Sequence, residues 1–300
     1  MTGPRGPQDD AFATGLDASS DELSPAEAEA MQRWYESVHG AGNLELVQYV
    51  PFMLAENPAA LKRFRHWSDV VAGGRGLADP LPAPLMALVW LHFYCVNPFP
   101  SGLLYEVIAA RRWGASKREV VDTITLAWVH GGPHSIETAA TSSAAYLAAW
   151  EDDAGARLPW PAGWERDPAV FSSGIALDDD NSISPADLRR LEDWHREHQG
   201  EVPAYVPFLA RHYPLALKVF RARYEAACAG SLAKQFVPIL QLPVAMERRD
   251  PEAIRRLVFQ ARRYGATREQ VLNTACTPQV YLGDLGMGAA LAAVDAALGA

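Results

Sequence analysis

His130 and His134 flank a Gly131-Gly132-Pro133 turn at the start of an expected helix. Imidazole changes charge near neutral pH, so two of them at this spacing can act as general base and general acid. Glu106 belongs to the preceding helix. There it can orient one imidazole, or hold a proton itself if burial raises its pKa. In a reaction passing through an enolate or carbanion, a cationic His and the backbone N–H groups of the turn would stabilise the developing charge. The plainer alternative is that both histidines cap the turn and Glu106 pairs with Arg111 or another nearby cation. Five further residues are candidate substrate contacts: His92, Tyr105, Trp90, Trp128 and Glu137, with the two indoles as walls of an apolar pocket beside the histidines.

His92 and Cys95 lie three apart on one helix face, which is too few ligands for zinc. Adding His130 and His134 completes a set only on paper, so no metal is expected. Cys95, Cys228 and Cys276 are an odd, widely spaced trio. They suit a reducing, cytoplasmic setting and read as inert core thiols. No glycine pattern suits a phosphate cradle or a dinucleotide, and no cofactor is expected.

The elements that position these residues recur along the chain. Tyr49-Val50-Pro51-Phe52 returns as Tyr205-Val206-Pro207-Phe208, and Pro58, Leu61, Lys62 and Phe64 return as Pro214, Leu217, Lys218 and Phe220, all at an offset of 156. Ser24-Pro25-Ala26 with Trp34 returns as Ser184-Pro185-Ala186 with Trp194. Trp113–Thr123 (WGASKREVVDT) returns as Tyr264–Thr274 (YGATREQVLNT), with 4 of 11 positions identical and 6 conservative. Drift of the offset by small indels reads as duplication. Each Ser-Pro-Ala-acid start is capping-box-like, and each Gly-Ala-Ser/Thr joint ends one helix and caps the next. No stretch sustains the alternation a strand needs. The expected fold class is all-α, with two homologous helical repeats in one chain.

Residues 1–20 read as a mobile tail without an apolar export signal, 21–150 as the first repeat and candidate active half, 151–182 as a Pro/Gly/Asp-rich linker, and 183–300 as a degenerate second repeat. Trp160 and Trp164 argue that the linker lies on a neighbouring surface. The halves are chemically unequal. Opposite His92, Cys95, Tyr105, Glu106, His130, His134 and Glu137 stand Pro243, Met246, Arg256, Leu257, Tyr281, Leu285 and Gly288. The chain has 300 residues, 27 Lys+Arg and 36 Asp+Glu, a net charge of −9. That balance is unsuited to nucleic acid or an anionic membrane surface, and the apolar run of residues 81–96 is too short and broken to span a bilayer.

The segment from Ala87 to Ala140, with its Gly114 joint, Gly-Gly-Pro turn and following small-residue helix, resembles the carboxymuconolactone decarboxylase and alkylhydroperoxidase-D-like superfamily. The likeness covers residues 85–150 and returns more weakly over 236–293. Thiol-using relatives carry a Cys-x-x-Cys pair and a helix His; counting back from the joint glycine, those places hold Phe99, Gly102 and Glu106. The resemblance therefore implies the decarboxylase branch rather than a thiol peroxidase. It implies a cofactor-free lyase or isomerase acting by acid–base catalysis on a small carboxylated lactone or carbonyl compound, with Glu106, His130 and His134 as catalytic residues. Decarboxylation, isomerisation and lactone hydrolysis stay open. It also implies a homo-oligomer, a dimer or trimer. The alternative is a non-catalytic helical binding or scaffolding protein. Convergence of Glu106, His130 and His134 on one cavity would favour the enzyme.

Overall fold

Local cap chemistry decides where the helices begin. Ser24 and Ser116 accept hydrogen bonds from the backbone N–H of Glu27 and Glu119, whose carboxylates reach back to the cap; Thr267 and Gln270 repeat the arrangement. Gly265, at φ 107°, ends one helix in the left-handed region and lets the chain turn directly into the Thr267 cap. Gly114, at φ 99°, serves the same joint in the first half.

The computed structural model describes residues 11–40, 48–151, 158–285 and 287–299. Among them the chain is all-α, with fourteen α-helices and no strand. They are α1 (Pro25–His39), α2 (Tyr49–Glu56), α3 (Pro58–Ala72), α4 (Ala83–Val96), α5 (Pro100–Arg112), α6 (Lys117–Gly131), α7 (Pro133–Ala148), α8 (Pro185–Gln199), α9 (Tyr205–His212), α10 (Pro214–Cys228), α11 (Phe236–Glu247), α12 (Pro251–Tyr264), α13 (Arg268–Leu282) and α14 (Met287–Gly299). No helix is long and apolar enough to cross a membrane.

α4 and α11 form the centre and pack on each other. Every residue of α4 is buried, which explains why its sequence shows no amphipathic period. The other helices of each half surround them, and further contacts cross between the halves: α13 lies on α3, and α10 and α11 touch α6. Asn273 of α13 accepts a hydrogen bond from the Leu81 N–H (3.0 Å) and donates to the Val71 carbonyl (2.6 Å). Asp122 of α6 accepts from the Ser231 N–H and hydroxyl, both at 2.7 Å.

The expected mobile tail differs from the sequence reading, whereas the linker lies on a neighbouring surface as Trp160 and Trp164 suggested. Residues 1–10 lie outside the described residues, but from Ala11 onward the chain is a packed strap. Phe12 is 2% exposed and meets Trp90 and Trp113 edge-on. Trp34 Nε1 donates to the Ala11 carbonyl, and Arg65 donates to that of Phe12. Residues 152–157 are likewise outside the described set, whereas Phe171 is buried, Trp194 Nε1 donates to Val170 and Arg221 to Phe171. Gly, Pro and Asp content suggested a mobile tail, but one buried aromatic and a guanidinium crossing the backbone hold that strap, and the same pair of devices holds the linker. Trp164 is buried, and Trp160 packs edge-on against Phe236.

Candidate functional site

Two cavities flank the central helix pair, each built from five helices of one half and the end of one helix of the other. Cavity one, about 480 Å³, is enclosed by α1, α2, α3, α4 and α5 together with Val280 and Tyr281 from α13. Its walls are mainly apolar: Trp90, Phe64, Tyr94 and Tyr281, with Tyr94 edge-on to Tyr281 at 4.8 Å. Two ionisable side chains, Glu106 and Arg65, interrupt them. Glu106 is 2% exposed, and its carboxyl has no hydrogen-bond or ion-pair partner among the described residues. Burial pushes its pKa well above the usual carboxylate range, with Arg65 opposing only in part. Burial therefore favours the neutral acid form of Glu106, which is able to donate a hydrogen bond.

Arg65, 5% exposed, is held by an ion pair with Asp69 at 2.7 Å and lies over the Trp34 ring at 3.6 Å. Asp69 in turn accepts from Thr14. Sequence reasoning missed Arg65, although a signal existed: it directly follows Phe64, and Arg221 directly follows the matching Phe220.

The expected histidine partners are elsewhere. His130 lines cavity two, and its Nδ1 shares a 2.8 Å hydrogen bond with Nε2 of His92. Burial, reinforced by the charges of His92, Arg223 and Arg248, drives the His130 pKa well below that of free imidazole; burial alone takes His92 to about 3. The pair is neutral at physiological pH and supplies no imidazolium. His134 is exposed at the start of α7, with Nε2 3.2 Å from the Val96 carbonyl. The expected convergence of Glu106, His130 and His134 is thus not found. The helix break at Gly132 (φ 82°) sends His130 inward toward α4 and His134 to the surface, while Glu106 faces away from both, into cavity one.

Of the five expected substrate contacts, Trp90 and Tyr105 line cavity one with Glu106. His92 is fully buried and lines neither cavity; Trp128 is 46% exposed, and Glu137 is exposed. Nor does Glu106 pair with Arg111, which lies over the Trp150 ring at 4.9 Å. Phe99 and Gly102, singled out together with Glu106 by the thiol-site comparison, do line cavity one. Cys95 and Cys228 are buried, and burial pushes both thiols up to about 12. Among the described residues no three His, Cys, Asp or Glu side chains stand together in a metal-binding group.

Cavity two, about 330 Å³, lies between α8, α9, α10, α11 and α12, with Val129 and His130 contributed by α6. Its walls are more polar, and Arg221, Arg248 and Arg256 line it.

No protein-family model, no curated protein and no solved structure matches the chain. The resemblance noted above rests on the quoted residues alone.

Proposed function

We propose that cavity one takes a small, largely apolar carbonyl compound and that Glu106 is its proton donor, in cofactor-free acid–base chemistry of the isomerase type. The observation that carries this reading is a buried carboxyl without a partner, facing an aromatic-walled cavity of about 480 Å³. An unpaired buried acid is costly to keep, and such groups concentrate where a ligand completes their hydrogen bonding. Trp90, Tyr94 and Tyr281 supply the apolar surface that holds a ring, and the neutral acid would donate to the carbonyl oxygen. Withdrawing electron density there acidifies the neighbouring C–H, whose proton leaves to water while the enol forms. Arg65 adds positive potential on the same side as the developing oxyanion.

The dispersal of His130 and His134 favours a second reading, in which the cavity binds the same class of molecule without turning it over. One experiment separates the two. 1-Tetralone is titrated into the protein, tryptophan fluorescence is followed, and deuterium exchange at the α-carbon is read by mass spectrometry in heavy water. The enzyme reading expects saturable quenching and exchange, with exchange reduced about 100-fold or more in Glu106→Gln while binding persists. Binding without exchange selects the second reading. Quenching and exchange both unchanged in Glu106→Gln and Glu106→Leu would refute both.

A further inference from the structure

At the offsets of the sequence repeat, the two cavities correspond residue by residue and differ in charge. Tyr49, Phe64 and Arg65 of cavity one stand opposite Tyr205, Phe220 and Arg221 of cavity two. The acid is exchanged for an aliphatic group, Glu106 for Leu257, and next to it Tyr105 is exchanged for Arg256. Cavity two therefore presents three guanidinium groups. The one carboxylate in its lining, Asp250, is committed to capping α12 through the N–H groups of Glu252 and Ala253.

The counter-charges of these arginines stand outside the cavity. Arg221 pairs with Glu225 at 2.8 Å. Arg256 reaches Glu201 at 3.3 Å and Glu252 at 3.7 Å, whose side chains are 43% and 61% exposed and hence screened by water. Arg248 has no acidic partner among the described residues; its nearest recorded polar contact is the His130 carbonyl at 3.5 Å. His195, 2% exposed in the same lining, registers the resulting field. Burial, then Arg221 and Arg256, hold it near a pKa of 4 against the favourable 2.8 Å hydrogen bond to Gln199.

Positive charge is combined with apolar wall, because Phe220, Val244 and Leu257 line the same space. A bare inorganic anion would leave those walls wet, and an uncharged molecule would leave the guanidinium groups without a counter-charge. We infer that cavity two is a binding site for a small organic carboxylate with an apolar body, its carboxylate held by Arg256 and Arg248 at the mouth and Arg221 within. Guanidinium groups match a planar carboxylate through paired N–H donors. The site is separate from cavity one and does not depend on the reading proposed for Glu106.

The test uses the full chain and calorimetric titration with benzoate, with benzamide as its uncharged counterpart and inorganic phosphate as the bare anion. One benzoate per chain is expected, with benzamide and phosphate each at least tenfold weaker. Arg256→Gln and Arg248→Gln are expected to weaken benzoate about tenfold each, and Ala253→Trp, which fills the cavity, to abolish binding. Glu106→Leu, in the other cavity, is expected to leave benzoate binding unchanged. Equal binding of benzamide, or of phosphate, overturns the proposal. So does the absence of benzoate binding, or binding that survives Ala253→Trp while changing with Glu106→Leu.

Discussion

Glu106 is kept inside the protein at a cost that depends on pH. Its pKa is raised in the folded chain, so the folded state holds the proton more tightly than the unfolded one. The sign follows: above the unfolded carboxylate value, about 4.3, stability falls as pH rises, by at most about 1.4 kcal/mol per pH unit for one proton. Glu106→Gln keeps the shape and removes the titration. Urea unfolding of both proteins at pH 5, 6.5 and 8 is expected to show the variant gaining on the parent as the pH rises from 5. Parallel curves would mean that Glu106 titrates normally, and the neutral-acid assignment would fall. The candidate status of Glu106 was legible in its sequence position, and its choice between orienting a histidine and holding a proton was not. That choice turned on burial and on the charge of Arg65 in the same cavity, two properties of the folded packing that no local pattern encodes. Arg65 itself was legible in principle, since it extends the repeated Lys62–Phe64 match by one residue.

At the scale of the elements, what was readable was what is local. The Ser-Pro and Gly-Ser/Thr signals fixed helix starts and joints because a cap is made by residues three apart. The strap at residues 11–24 misled because what holds it is distant, Trp34 and Arg65; the indoles of the strap at 158–184 announced its packing but not its anchors, Trp194 and Arg221. The joint at Gly265 gives a direct test of the local part. A Cβ there would meet only Gln235 Nε2, at 3.9 Å, so space is not limiting and the backbone conformation is. Gly265→Ala is expected to cost about 1–2 kcal/mol from the left-handed φ alone, and Gly265→Asn clearly less, because Asn tolerates that region. Denaturant titration of the two variants checks the order. Equal losses would point to a packing role instead.

For the whole molecule, each cavity is closed by a helix from the opposite half, and a buried polar residue helps to pin each of those helices. Asn273 fixes α13, which carries Tyr281 into cavity one; Asp122 fixes α6, which carries His130 into cavity two. Both side chains are nearly fully buried. Asn273→Ala leaves the Leu81 N–H without its partner and takes one of two donors from the Val71 carbonyl, and Asp122→Ala strands the Ser231 N–H and hydroxyl. Each is expected to lose about 1–3 kcal/mol of stability. A purely structural role would stop there, with both variants weakening both cavities in proportion to lost stability. The architecture demands a crossed pattern instead. Asn273→Ala should weaken tetralone binding in cavity one and spare benzoate in cavity two, and Asp122→Ala should do the reverse. The readout is the pair of affinities measured under conditions where both variants remain folded. Equal weakening of both ligands by either variant would show that the halves yield as one body, and that the exchange of helix ends does not give each cavity its own control.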